Sequence, residues 1–313
     1  MPDLAPIILF VYNRPWHTKQ TLQALMANKL AKDSILFIYS DGLKDDATEV
    51  QKIAFQETRQ VLKNEKWCKE VHIVEREINF GLAENVITGV TEILNRYGKI
   101  IVLEDDLVTS PYFLDYCNDG LNIYQDSQNV YSINAYQFPI DFGNSNPEAF
   151  LCPLATSSWG WATWKSKWDK LDASLEYGEL IQSNNQLKKR FDFGSYQFSN
   201  MLENKKSWAI KWYYSVFIRN GLGVFTTESL VKNIGFDGTG ENCGIEELDQ
   251  SFFEKGISVQ LKENIHLKYY MDMLNYFSVP KKLKRDFPQN KSNPTFVTLK
   301  SILKKFLVFS KLK

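Results

Sequence analysis

The chain has 313 residues, 44% hydrophobic and 24% charged, with 37 Lys/Arg balanced by 37 Asp/Glu. That is the composition of an ordinary globular protein with room for one large α/β domain or two modest ones, and it gives no reason to expect the body to bind nucleic acid. The charge is unevenly placed: residues 281–313 hold ten Lys/Arg and one Asp, a charge of +9, while the rest holds 27 Lys/Arg and 36 Asp/Glu, a charge of −9. Aromatic residues make up 14%. Most of those rings are expected in the core, although such rings also suit stacking on sugars and bases.

In chain order, strand and helix patterns alternate. Residues 6–12 (PIILFVY) read as a buried strand, the polar turn Asn13-Arg14-Pro15 follows, and a helical pattern spans 18–28. Residues 34–40 (SILFIYS) read as a second strand closed by Asp41-Gly42, with a charged helix over 47–64. A third strand at 71–74 leads through Asn79-Phe80-Gly81 into a helix over 82–97. A fourth strand, 99–103, runs into Glu104-Asp105-Asp106. This series predicts a mostly parallel, Rossmann-like central sheet with helices on both faces.

The later chain is less regular. It contains SSWGWATW at 157–164, Trp168, Trp208, Trp212, a strand-like stretch at 223–227 and a glycine-rich segment at 233–242. Residues 281–313 read as a basic linker and tail. In 298–313, apolar Leu299, Ile302, Leu303, Phe306 and Leu307 keep helical spacing among lysines, which suits either a helix lying on an anionic membrane or a terminal helix packed on the domain. No stretch approaches the ~20 apolar residues of a membrane span, and the opening residues do not read as a secretory leader. Cys68, Cys117, Cys152 and Cys243 are scattered without CxxC spacing, which argues against a zinc site. The expectation is reduced thiols and a cytoplasmic chain, with the two readings of 298–313 left side by side.

Ligands of such sheets bind beyond the carboxyl ends of the strands. Here those ends are Asn13-Arg14, Asp41-Gly42, Arg76 and Glu104-Asp105-Asp106. Three consecutive acids repel one another unless something compensates, and Mg²⁺ or Mn²⁺ bound through one or two carboxylates and a substrate diphosphate would do so. Strand alternation places Glu104 and Asp106 on one side and Asp105 on the other. Asp41 can accept hydrogen bonds from a uracil or ribose, Arg14 can pair with a diphosphate, and Asn79, Gly81 and Asn85 can approach the nucleotide. Each has a plainer reading beside it: a solvated acidic turn, an Asp-Gly turn, or a helix start led by Asn13 and Pro15.

The segments PIILFVYNRP, FIYSDG, NFGLAENV, IIVLEDDLVTSPYFLDY and SSWGWATW, in that order over about residues 6–245, resemble GT-A fold nucleotide-sugar glycosyltransferases. They are similar to bacterial family-2-like transferases and to the N-acetylglucosaminyltransferase I group. The resemblance implies a UDP-sugar donor, Mn²⁺ or Mg²⁺, and inverting transfer of a hexosyl or N-acetylhexosaminyl group to a glycan, polysaccharide or lipid-linked acceptor. It implies Asp106 as metal ligand, Glu104 and Asp105 at the donor sugar and ribose, Asp41 at the uridine, and Trp159, Gly160 and Trp161 on the acceptor side. It divides the chain into a nucleotide-sugar half (1–107), an acceptor half (108–280) and the tail (281–313).

In that group a tryptophan-flanked acid supplies the base, and the corresponding stretch here, Trp208-Ala209-Ile210-Lys211-Trp212, has none. Asp237 and Glu241 are the substitutes, with His266 as an added metal candidate. Two other classes compete: a sugar-nucleotidyltransferase, disfavoured because VYNRPWHTK lacks the glycines of a triphosphate loop, and a catalytically dead glycan-binding module.

Overall fold

The computed structural model describes residues 4–143, 146–154, 156–194, 196–203, 206–240 and 252–278. Glu241, Cys243 and the whole tail from 281, including 298–313, lie outside these residues. Among the described residues, no helix is long and apolar enough to cross a membrane.

The first four strands and three helices follow the expected series. They are β1 (Ile7–Val11), α1 (Pro15–Met26), β2 (Ile35–Ser40), α2 (Glu49–Lys63), β3 (Glu70–Glu75), α3 (Gly81–Tyr97) and β4 (Lys99–Glu104). Local chemistry sets the helix starts. Pro15 opens α1, where its missing N–H has no partner to lose, and Thr48 and Gln51 form a reciprocal capping box on α2. Then come β5 (Leu107–Thr109), α4 (Phe113–Ile123), β6 (Val130–Asn134), β7 (Ala149–Cys152), β8 (Trp161–Trp164), α5 (Lys165–Trp168), α6 (Gly178–Ser183), α7 (Asn185–Phe191), α8 (Trp208–Phe217), β9 (Leu222–Thr226), β10 (Val231–Asn233) and α9 (Leu267–Ser278).

Eight strands make one sheet in the order β3-β2-β1-β4-β8-β6-β9-β7, with β8 and β7 reversed against their neighbours. The β1/β2, β2/β3, β1/β4 and β6/β9 pairs are parallel. Successive strand residues point to opposite faces, so each face has its own core. Ile7, Leu9 and Val11 pack with Leu22 and Leu25 of α1, Leu62 of α2 and Leu114 of α4. Ile8 and Phe10 pack on the other face with Val86 and Val90 of α3 and with Trp212 of α8. Both faces are covered, as the βα series predicts.

The chain steps outward from β1 to β2 to β3 and then returns to place β4 on the opposite side of β1. The strand order reverses between β1 and β4, and in sheets of this kind ligands bind beyond the carboxyl ends of the strands at such a switch point. The turns that follow are Asn13-Arg14 and Asp105-Asp106.

The two halves named from the sequence share this sheet. β8, from the second, lies against β4 of the first. The Asn118 side chain accepts a hydrogen bond from the Ala5 amide at 2.9 Å, and Asn28 donates to Thr109 and accepts from the Leu114 amide.

Candidate functional site

The acidic cluster departs from strand alternation for a local reason. β4 ends at Glu104, and Asp105-Asp106 form a turn into β5. Asp105 and Asp106 therefore reach the same partner: Arg14 Nη1 lies 2.8 Å from Asp106 Oδ2 and 3.4 Å from Asp105 Oδ1. The expectation that they face opposite ways does not hold, because alternation stops where the pleat stops.

A short two-stranded ribbon brings a third acid to this place. β5 pairs antiparallel with β10, setting Leu107 opposite Asn233. The glycine-rich segment after β10 then runs beside the acidic turn, and the Ile234 amide donates to the Asp106 carbonyl at 2.9 Å. A Cβ on Gly235 would stand 2.0 Å from Asp106 Oδ2, so the carboxylate is seated in space only glycine leaves open. Asp237 Oδ1 is 3.7 Å from Arg14 Nη2, and Thr239 Oγ1 accepts from Arg14 Nε at 3.2 Å. Arg14 thus joins all three aspartates.

Helix α1 adds a residue that the sequence reading missed. His17 is 5% exposed, and its Nε2 lies 3.0 Å from Asp237 Oδ2 without making a hydrogen bond. Burial, reinforced by the neighbouring Arg14 charge, lowers the pKa of His17 and favours neutral imidazole. The available signal was spacing. Arg14, His17, Thr18 and Thr21 fall at helical intervals, and His17, Thr18 and Thr21 are buried polar residues on the face that lower down carries Leu22 and Leu25. Thr21 Oγ1 donates to the Asp105 carbonyl at 2.8 Å. A buried helix face that turns polar toward its first turns is facing a site.

The electrostatics are strained in one direction. Burial, then the Asp106 charge, pushes Asp105 up to about 7, and burial with Asp106 and Asp105 pushes Glu104 well up. Arg14 opposes both effects. For Asp237, burial works against ionisation, but the Thr239 hydrogen bonds and the neighbouring His17 and Arg14 outweigh it and hold the pKa below the usual carboxylate range.

Asp41 is organised by its own protein. Oδ1 accepts from the Gly42 and Phe80 amides at 2.9 and 2.8 Å, and Oδ2 from the Gly81 amide at 2.9 Å and Asn79 Nδ2 at 3.2 Å. Four donors fill its oxygens, so in this structure Asp41 pins the loop between β3 and α3. Gly42 sits directly under that loop, where an added Cβ would stand 2.2 Å from the Ile78 carbonyl carbon. Gly42→Ala is therefore expected to destabilise the fold by about 1–3 kcal/mol, the usual cost of overpacking. Urea unfolding would measure it, and an unchanged midpoint would contradict the packing described. Asn85, near the start of α3, is 3% exposed with an unpaired Oδ1. Asn13 lies half-buried beside Arg14 in the turn after β1.

Four sequence assignments need correcting. Trp161 is fully buried on β8, with its ring 5.4 Å from that of Trp208 in a cluster that also holds Trp168 and Trp212. It cannot face an acceptor. Trp208 and Trp212 lie on α8 in the same core, so that stretch is no counterpart of a catalytic loop. Gly160 is closed off by Val231 and Phe113. His266 stacks on Tyr269 with centroids 3.7 Å apart, and its amide donates to Leu151 on β7. That position is on the far strand of the sheet from the acidic turn. Trp159 is half-buried, packed against Tyr136 and the core, with its ring 5.4 Å from that of Phe236 in the glycine-rich loop.

No protein-family model matches the sequence, and no curated protein matches it. Among solved structures it is similar to glucosyl-3-phosphoglycerate synthase from Mycobacterium tuberculosis in complex with Mn²⁺, UDP and glucosyl-3-phosphoglycerate. That match has 14% identity and a TM-score of 0.32, over 59% of this chain and 67% of that one. It is also similar to TarS of S. aureus, with 11% identity and a TM-score of 0.37, over 75% of this chain and 37% of that one. A third likeness is to an active-site mutant of LgtC, with 11% identity and a TM-score of 0.31, over 57% of this chain and 65% of that one. These likenesses are distant, and the functional reading rests on the site's own geometry.

Proposed function

We propose that the chain is a metal-dependent glycosyltransferase of the GT-A type, moving a sugar with inversion from a UDP-sugar to a glycan, polysaccharide or lipid-linked acceptor. The observation that carries the proposal is the charged cluster at the switch point between β1 and β4, where Arg14, Asp105, Asp106, His17 and Asp237 meet. A lone arginine spans three carboxylates there, and a buried imidazole nitrogen beside them lacks a hydrogen bond. Carboxylate oxygens are the donors Mn²⁺ and Mg²⁺ prefer, but among the described residues no three His, Cys, Asp or Glu side chains converge as a cage, and Arg14 is the cation that pairs with the aspartates in this structure.

Asp106 is the residue we assign to hold the divalent cation. When bound, the cation neutralises charge that grows on the departing diphosphate. Arg14 belongs to the same task. Its guanidinium is a planar fork of the kind that pairs with a diphosphate, here turned to Asp105, Asp106 and Asp237. Glu104 and Asp105 are the residues we assign to the donor sugar and ribose. Asp41, by pinning residues 79–81, shapes the nucleotide side together with Asn13, Asn79, Gly81 and Asn85. Trp159 offers a ring face at the rim for an acceptor sugar.

Inverting transfer needs a base on the acceptor hydroxyl. Asp237 suits this poorly, because the contacts that lower its pKa also weaken it as a base. It is better placed to organise Arg14 and His17. Glu241, outside the described residues, remains the candidate base.

Thermal-shift titration with UDP, GDP and CDP, each with and without Mn²⁺, tests the reading. A ligand at 100 times its Kd adds about 2.7 kcal/mol by mass action. UDP is expected to raise Tm only when Mn²⁺ is present. No shift with any nucleotide at millimolar concentration would overturn the reading in favour of a glycan-binding module without transferase activity.

A further inference from the structure

We propose that β3 is a homodimer interface, across which two copies of the chain pair antiparallel and join their eight-stranded sheets into one. The inference does not depend on the transferase reading above.

β3 is the outermost strand of the sheet and pairs with β2 alone. The Arg76 amide donates to the Ser40 carbonyl at 2.9 Å, which fixes the phase of the ladder: even-numbered residues turn their backbone groups toward β2. Val71, Ile73 and Glu75 turn theirs outward, where among the described residues no backbone hydrogen bond reaches them. Proteins usually blunt such an edge with a proline, a bulge, a lysine or carboxylate in mid-strand, or a cover. The opposite edge of this sheet has a cover: Ile265 bridges to Leu151 of β7, and the His266 amide donates to the Leu151 carbonyl. Among the described residues β3 has none of these. Its register with β2 runs without a shift, it contains no proline, and its two carboxylates, Glu70 and Glu75, stand at its ends.

A second observation lies on the sheet face that carries α1 and α2. An open hollow of about 570 Å³ runs between the end of α2 and β3, lined by Leu62, Val71 and Ile73 together with Lys63 and Lys66. Leu62 is buried, but Val71 and Ile73 are only half-buried at the margin of that core. A strand added to this edge sets alternate side chains into the hollow, so it fits best if those side chains are apolar.

β3 meets that requirement itself. In the two-fold register centred on His72, Val71 lies opposite Ile73 of the second copy, and Ile73 opposite Val71 of the second copy. Both are backbone-bonded pairs, and each copy fills the other's hollow. Exposed Glu70 falls opposite Val74 at the end of the ladder. Lys66 and Lys69, before the strand, come beside Glu75 and Glu77 at its far end. A shift by one residue sets outward backbone groups against inward ones and forms no ladder. A shift by two in either direction sets Glu75 or Lys69 against an apolar neighbour.

The test is sedimentation velocity of the full chain, with disulfide trapping of the register. The wild-type chain is expected to sediment as a dimer at micromolar concentration. His72→Cys is expected to form an interchain disulfide under mild oxidation, because facing residues of a non-bonded antiparallel pair have Cα atoms about 4.5 Å apart, within disulfide reach. Wild type and Leu261→Cys, exposed near the opposite edge of the sheet, are expected to stay uncrosslinked. Val71→Lys is expected to weaken dimerisation by about 10-fold or more, since each substitution enters a two-fold interface twice, while Tm stays within a few degrees of wild type. A wild-type chain that remains monomeric at its highest soluble concentration would overturn the proposal, as would a dimer that survives Val71→Lys unweakened. A dimer in which His72→Cys crosslinks no better than Leu261→Cys would place the contact elsewhere and overturn it equally.

Discussion

Asp106→Asn is expected to lower kcat/KM by about 10³-fold or more, roughly 4 kcal/mol of transition-state stabilisation, while Tm moves by no more than a few degrees. The substitution keeps the shape of the side chain and its place against Gly235, where no Cβ intrudes. It removes the charge that a cation needs and, with it, one member of a crowded acid pair, so stability has something to gain as well as an Arg14 contact to lose. Steady-state kinetics with a UDP-sugar, alongside a melting curve, would measure both effects. Full turnover in this variant, or in wild-type protein with excess chelator, would contradict the assigned role.

The second large effect separates two neighbouring tryptophans. Trp161→Ala is expected to destabilise the fold by about 3–5 kcal/mol, because a fully buried indole leaves a cavity among Trp168, Trp208 and Trp212. Trp159→Ala is expected to cost far less stability and instead to raise the acceptor KM, since its ring is half-buried at the rim beside Phe236. Denaturant unfolding and acceptor titrations would separate the two. A loss of acceptor affinity in Trp161→Ala at unchanged stability would reverse the assignment.

The difference between these residues marks where the sequence stops being legible. Residues 7–104 carry strong local signals: short apolar strands, amphipathic helices and turns of Asn, Asp and Gly. The expected strands and helices there agree with β1 to β4 to within a few residues at each end. The order of the remaining strands depends on contacts distant in sequence. Nothing in WATW says that β8 slots between β4 and β6, yet that placement buries Trp161. Likewise, Asp105 and Asp106 were legible as an acidic site, but their shared orientation came from the turn that ends β4. His17 was hidden because a histidine in a helix is ordinary until Asp237, 220 residues later, is brought beside it by the β5/β10 ribbon.

The place of β8 also bears on how the chain is made. During synthesis β4 is complete at Glu104, but the strand that covers its outer edge begins only at Trp161. At about 5–20 residues per second, that gap of roughly 60 residues lasts about 3–12 s. Through that interval β4 presents a row of unpaired backbone groups flanked by apolar Ile100, Ile101, Val102 and Leu103, the kind of edge that recruits strands from other chains. A ribosome pausing between these two strands would prolong the exposure, so translation speed across residues 105–160 bears directly on the yield of folded protein.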